Sequence, residues 1–276
     1  MTIRTALLQG TKLLEEAGVD APRLTAEVLL GHATGGRNRV WLHAHGNEEL
    51  IEIWWIHFGR YLHERIDGKP TQYITRTQEF YGRDFRVTSD VLIPRPETEH
   101  LVEAALARLQ HPVVDLGTGS GAIAVTLSLE AHIPVYAVDV SKAALDVARG
   151  NAEKLGAEVR FVAGDLLTAF ADQSLGLIVS NPPYIADTDR MTLQREVREH
   201  EPHLALFSGT DGMGHYQRIV EDAARVLRAG GWLLLELGYD SSLRVGQLLT
   251  GWQEIELIAD LAGHPRVIAA RLPPYS

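Results

Sequence analysis

The chain has 276 residues, 45% hydrophobic and 22% charged, with a formal net charge of −10 and no cysteine. That length can bury a full core in one large domain, or in a large and a small one. The missing thiols exclude disulfides, thiolate catalysis and cysteine-ligated zinc, and the acidic balance argues against gripping phosphate backbones by bulk charge, so a small molecule or a protein is the expected partner rather than nucleic acid.

The opening stretch MTIRTALLQGTKLLEEAG alternates polar and apolar residues helically and carries Glu15 and Glu16, so it reads as neither a signal peptide nor a membrane span, and the expected location is the cytoplasm. Ala6, Leu7, Leu13, Leu14 and Ala17 recur at helical spacing, with Gly18 as a stop. A second helix begins near Pro22 and carries Leu24, Val28 and Leu29. A third, from about 48 to 65, carries Ile51, Trp54, Trp55, Phe58 and Leu62. Residues 1–70 are thus expected to form a small helical bundle, the aromatic stripe serving as its core. Gly68 and Pro70 close it, and residues 71–90 set β-branched and aromatic side chains around a Tyr81-Gly82 turn, which predicts a β-hairpin linker.

Residues 91–276 read as one further domain. PVVDLGTGSG, VYAVDV, VRFVAGD, LGLIVS and GWLLLELG are short apolar runs separated by helical stretches such as KAALDVARGNAEKLG and YQRIVEDAARVLRAG. Buried strands alternating with helices predict a doubly wound, mostly parallel α/β sheet. The runs WQEIELIAD and RVIAARL are joined by Gly263-His264-Pro265 without room for a crossover helix, so they must pair antiparallel at the sheet edge, completing seven strands.

Gly117, Gly119 and Gly121, with Thr118 and Ser120 between them, sit between a strand and a helix, where glycine allows a tight turn and close approach to a ligand. With Ala122 they also fit a dinucleotide fingerprint, and Asp139, about 20 residues on, suits the ribose of either a nicotinamide or an adenosyl ligand. Asp115 favours S-adenosyl-L-methionine: an acid at that strand end answers a positive amino group and repels a pyrophosphate. Asp165 is placed either to reach an adenine amino group or to cap a helix.

Asn181-Pro182-Pro183-Tyr184 follows the fourth strand of this sheet, beside the glycine loop. A planar amide or exocyclic amine is a poor nucleophile because its lone pair is delocalised. The Asn181 side-chain oxygen and the Pro182 carbonyl would accept its two N–H groups and favour a pyramidal nitrogen facing a methyl sulfonium. Pro183 restricts Pro182 to an extended ψ, and Tyr184 offers a flat face to the substrate.

That motif is shared by methyltransferases acting on adenine, guanine or glutamine nitrogens. A longer set, with QYI and EFYG, LIPRPETEHLVE at 92–103, DLGTGSGAIAV, SNPPYI, EPHLAL at 201–206, DGM at 211–213 and LELG, resembles the peptide chain release factor N(5)-glutamine methyltransferases, the HemK/PrmC-like family. The resemblance implies a class I, Rossmann-like methyltransferase domain behind an N-terminal helical bundle. It implies methylation of the glutamine in the Gly-Gly-Gln motif of class I release factors. It places the cofactor on Gly117–Gly121 and Asp139, with Leu166 at the adenine wall and Asn181 to Tyr184 on the glutamine. Leu166 stands where relatives often carry a larger side chain, and Ser241 and Ser242 follow the Glu-x-Gly segment where many carry glutamine.

The resemblance suggests that Arg95 covers the cofactor, while an arginine between prolines also suits a solvated loop. Glu97 and Glu99 are expected to favour the next helix through its dipole. Glu201 and Pro202 have no assigned chemistry. His43 and His45 lack partners at metal spacing, so no metal is expected. The bundle is expected to contact the protein substrate, and the chain to be monomeric. The alternatives are a ribosomal-protein glutamine methyltransferase, a DNA or RNA amino methyltransferase (which should carry a basic groove), a binding module without catalysis, and an NAD oxidoreductase, for which the Asn-Pro-Pro-Tyr segment offers no acid or base.

Overall fold

The computed structural model describes residues 1–274, and these form two compact units: Met1–Thr77 with Gln194–His200, and Gln78–Leu193 with the chain from Glu201 onward. The first unit opens with α1 (Ile3–Glu16), whose free N-terminal amides are met by Thr2, its Oγ1 accepting from Thr5 N at 3.2 Å. Its inner face is Ile3, Ala6, Leu7, Gly10 and Leu14. Helix α2 (Pro22–Ala33) starts with proline at its first turn and buries Ala26, Leu29 and Leu30. Leu24, expected inside, is exposed. The helix turns Glu27 inward instead, and that carboxylate is satisfied by Arg23 Nε at 2.7 Å and Arg39 Nε at 2.5 Å.

A short helix that the periodicity did not reveal, α3 (Arg39–Ala44), is capped by Asn38 Oδ1 accepting from Trp41 N at 2.9 Å. Helix α4 (Glu52–Ile66) buries Phe58 and Leu62, while Ile51 is its exposed N-cap rather than a core residue. Residues expected to open the hairpin form α5 (Thr71–Thr75), because Pro70 O starts a helical turn and Tyr73 and Ile74 both bury. The hairpin itself is shorter: β1 (Thr77–Phe80) and β2 (Arg83–Arg86). Tyr81 and Gly82 both take positive φ, 52° and 71°, as a two-residue hairpin turn of matching twist requires.

The second unit continues with α6 (Glu99–Leu106), β3 (Val113–Leu116), α7 (Ala122–Ala131), β4 (Val135–Asp139), α8 (Lys142–Leu155), β5 (Val159–Ala163) and β6 (Leu175–Ser180). Helix α9 (Arg195–His200) belongs to the first unit, where Glu196 pairs with Arg65 Nη2 at 2.6 Å and Arg195 Nη2 donates to Asp67 O at 3.1 Å. After it come α10 (Gly214–Val226), β7 (Leu227–Glu236), α11 (Ser242–Leu248), β8 (Gln253–Ala259) and β9 (Pro265–Arg271). The stretch LRAG, read as the end of α10, already belongs to β7, where Leu227 pairs with Leu175.

The seven strands lie in the order β5-β4-β3-β6-β7-β9-β8. All pairs are parallel except those of β9, which runs antiparallel to both β7 and β8. Every residue of β3 and β6 is buried, which is why both read as mostly apolar runs, with only Asp115 and Ser180 polar near their carboxyl ends. Strand order reverses between β3 and β6, and the crevice outside such a reversal is where open α/β sheets bind ligands. Among the described residues no helix is long and apolar enough to cross a membrane.

Candidate active site

A cleft lies at that reversal. Gly117, Gly119, Asp139, Asp165, Leu166, Asn181, Pro182 and Pro183 line it together, joined by Ser141, Ala144 and His215, which the sequence did not single out. Gly117 and Gly119 take φ of +68° and +53°; a methyl group on the first would meet no protein atom within 4 Å, and on the second only Gly117 O at 3.9 Å. The space such a side chain would fill is the cleft itself. Gly121 differs: at φ +82° a methyl group would lie 3.1 Å from Ala148 Cβ, so this glycine lets α8 approach the start of α7.

The loop is held from two sides. Asp139 Oδ2 accepts from Gly119 N and Oδ1 from Ser141 N, each at 2.9 Å. Asp115 is fully buried behind the loop, its Oδ2 accepting from Thr118 Oγ1 at 2.6 Å and Ala124 N at 3.2 Å. Burial pushes its carboxyl up to about 7 against those two hydrogen bonds, with Asp139 adding to the rise. Asp115 Oδ1 is buried without a hydrogen-bond partner. Thr118 and Ser120 are buried too and do not line the cleft: the Thr118 hydroxyl turns to Asp115, and the Ser120 backbone carbonyl accepts from Asn151 Nδ2 at 2.8 Å, which braces the loop.

The strand before the claw is pinned by Ser180 Oγ, which donates to Leu116 O at 2.8 Å and ties the ends of β6 and β3 together. Asn181 Nδ2 donates to Thr98 Oγ1 at 3.2 Å, leaving Oδ1 as the acceptor. Tyr184 does not line the cleft. Its ring is half-buried over Gly238, where a methyl group would lie 2.9 Å from Cδ2, and burial near Glu236 pushes its phenol up to about 12. Arg95, expected either to cover the cofactor or to sit in a solvated loop, contacts Glu201, which had no assigned chemistry: Arg95 Nη2 donates to Glu201 Oε1 at 2.5 Å, and the buried Glu201 also accepts from Ile93 N at 3.3 Å. Glu99, expected only to favour a helix start, also accepts from Tyr81 N at 2.8 Å and ties the hairpin to α6.

Residues 5–75 match the PrmC N-terminal domain and residues 96–206 the methyltransferase small domain. The release factor glutamine methyltransferase of Koribacter versatilis is 41% identical, with 99% of each chain covered. That of Bacillus subtilis is 43% identical over 98% of this chain and 97% of its own. The chain belongs to the release factor glutamine methyltransferase family. A solved methyltransferase from Pyrococcus furiosus shares the fold at a TM-score of 0.53 and 17% identity, over 70% of this chain and 90% of that one.

Release factor glutamine methyltransferases use S-adenosyl-L-methionine, and the residues present fit it. Two cleft-facing glycines leave the room and Asp139 retains lone pairs on both oxygens; Asp115 does not line the cleft, but its buried, unpartnered Oδ1 behind the loop suits a cation. Leu166, at φ +50°, lines the cleft as an apolar wall. Asp165 also lines it, but its carboxylate is exposed and paired with Arg218 Nη2 at 2.6 Å, so it is not a helix cap through its side chain. Sequence reasoning missed Thr98, Glu236 and Gly238. Thr98 lay between two glutamates that drew attention to helix electrostatics, and the Gly of LELG was the one signal that something packs closely there.

Proposed function

We propose that the protein transfers a methyl group from S-adenosyl-L-methionine to the side-chain amide nitrogen of the glutamine in the Gly-Gly-Gln motif of class I peptide chain release factors. The observation that carries this reading is Asn181: it stands in the same cleft as the open glycine loop, with Nδ2 engaged by Thr98 and Oδ1 left to accept. When bound, the cofactor supplies an electrophilic methyl group on a sulfonium sulfur. Asn181 Oδ1 and the Pro182 carbonyl accept the two N–H groups of the glutamine amide, which holds the nitrogen and favours the pyramidal geometry that frees its lone pair. Pro183 fixes the direction of the Pro182 carbonyl. No strong base is required, because an alkylated amide nitrogen sheds its proton readily. Tyr184, its phenol pushed up to about 12, shapes the site as a neutral ring.

Asp139 is suited to the ribose hydroxyls, Asp115 to the methionine ammonium, Leu166 and Asp165 to the adenine. The helical unit at residues 1–70 contacts the protein substrate, and the enzyme works as a cytoplasmic monomer. Labelled methyl transfer to a purified class I release factor, beside a copy with the Gly-Gly-Gln glutamine changed to alanine and a duplex DNA control, tests the reading. Label is expected in the intact factor alone; label only in DNA would assign the claw to a base amine. A glutamine-bearing ribosomal protein added to the same assay separates the sister activity.

A further inference from the structure

Behind Asn181 lies a buried acid that the methyl-transfer chemistry does not use. Glu236, the last residue of β7, is 2% exposed, and Thr98, at the start of α6, is 4% exposed. Thr98 Oγ1 accepts from Asn181 Nδ2 at 3.2 Å, and the same hydroxyl lies close enough to the Glu236 carboxylate to favour its ionised form as a donor. Glu236 Oε2 is buried with no hydrogen-bond partner. A buried carboxylate with an unsatisfied oxygen is costly, and an apolar side chain of similar volume would serve stability better.

The hydroxyl has a single proton, and that fact gives the group its logic. An ionised carboxylate only accepts, so Thr98 must donate to Glu236. Its oxygen is then available to Asn181 only as an acceptor. The Asn181 amide is therefore held with its NH₂ inward and its oxygen outward. We infer that Glu236 and Thr98 are positioning residues for the methyl transfer, a relay that fixes which end of the Asn181 amide meets the substrate. This rests on the proposed role of Asn181 as acceptor of a glutamine N–H.

The relay has a defined failure state. A protonated Glu236 can donate to Thr98, whose own proton is then free for Asn181 Oδ1. The amide would turn over and present N–H groups to the N–H groups of the substrate. The groups around Glu236 set where this occurs. Burial pushes its carboxyl up to about 7; Arg266 on β9 and Arg95 before α6 favour the ionised form, and Glu97 opposes it. Tyr184 and Tyr216 face it as neutral phenols, and Tyr216 Oη donates to the Glu236 carbonyl at 2.8 Å. The carboxylate is raised, so the active orientation is present at alkaline pH and is lost as pH falls through about 7.

The test uses the full chain with an intact release factor and three variants, Thr98→Val, Thr98→Ser and Glu236→Gln, each followed by kcat against pH, calorimetric affinity for S-adenosylmethionine, and Tm. Thr98→Val should lower kcat on the order of 10- to 100-fold, the loss of one oriented hydrogen bond in the transition state, with cofactor affinity within about twofold of wild type. Thr98→Ser should return kcat to within about threefold. Glu236→Gln can still accept from Thr98 but has no carboxyl proton, so it should retain activity at alkaline pH within about tenfold and lose the acid limb of the profile. Three results overturn the relay: unchanged kcat in Thr98→Val, an acid limb that persists in Glu236→Gln, or a Glu236→Gln enzyme that binds cofactor yet is inactive at every pH. Lost cofactor binding or a collapsed Tm in Thr98→Val, unrepaired by Thr98→Ser, would assign Thr98 to folding and also overturns it. A wild type that binds cofactor but labels no release factor overturns the functional reading, and the relay with it, before any variant is compared.

Discussion

Gly238→Ala is the sharpest test of how the claw is supported. Gly238 does not occupy the left-handed region, so alanine introduces no backbone strain, and its effect reduces to one methyl group. That group would lie 2.9, 3.3 and 3.5 Å from Cδ2, Cγ and Cε2 of Tyr184, where carbon pairs prefer about 3.5–4.0 Å. The ring cannot simply retreat. Its own residue is held on the other side, where the Tyr184 carbonyl packs so closely on Gly212 that a methyl group there would lie 2.4 Å away, and the ring leans on the core below. Overpacking of this kind costs about 1–3 kcal/mol, or a Tm lower by roughly 2–10 °C for a chain of this size. A displacement of Tyr184 is transmitted through Pro183 to the Pro182 carbonyl, so kcat should fall by about 10- to 100-fold. Urea denaturation and methyl transfer would be measured for Gly238→Ala, Tyr184→Ala and the double variant. The destabilisation by Gly238→Ala should drop below about 0.5 kcal/mol once the ring is gone. An equal cost in both backgrounds would refute the ring-on-glycine contact as the cause.

Asp115→Asn bears on the buried acid behind the glycine loop. The wild-type carboxyl is raised, so its contribution to stability is greatest below the unfolded value and diminishes as pH rises to about 7. The unfolding free energy of Asp115→Asn relative to wild type, from urea denaturation, should therefore climb between pH 5 and 7 by up to about 2 kcal/mol and level off above, and a flat difference would contradict the shift. The same variant should bind S-adenosylmethionine at least about tenfold more weakly at pH 8, read by calorimetry. Gly119→Ala should abolish cofactor binding for a stability cost near 1 kcal/mol, whereas Gly121→Ala, pressed against Ala148, should cost about 2 kcal/mol or more. Arg95→Ala should destabilise by about 2 kcal/mol by removing one cationic partner of the buried Glu201, as thermal denaturation would show.

The parts of this molecule that were legible in sequence are those whose physics is local. Strands β3 and β6 announce themselves because burial on both faces makes them mostly apolar runs, each with a single polar residue, Asp115 or Ser180, near its carboxyl end. The antiparallel edge followed from a loop too short for a crossover. The glycine loop and the claw were visible because glycine and proline restrict the backbone wherever they occur. What was illegible depends on partners distant in sequence. Thr98 and Asn181 are 83 residues apart, and Arg95 and Glu201 106 apart, so neither pairing had a local signature. Leu24 was misplaced because two arginines allow Glu27 to turn inward in its stead. Residues 71–75 looked like strand by composition, yet Pro70 starts a helix there. The packing of the Tyr184 ring on Gly238, 54 residues away, likewise had no local signature.

Strand β9 lies between β7 and β8 although it follows both in the chain. On a nascent chain, β8 therefore has no place in the sheet until β9 has emerged, and β7 meanwhile presents an unpaired edge of the kind that invites association. Leu237, between Glu236 and Gly238, donates its N–H to Arg266 O at 2.8 Å, so the segment under the claw is fastened by β9. The half of the sheet that carries the glycine loop has all its strand partners much earlier in synthesis. Assembly of the enzyme is thus ordered: a pocket for the methyl donor can take shape first, and the grip on the acceptor follows.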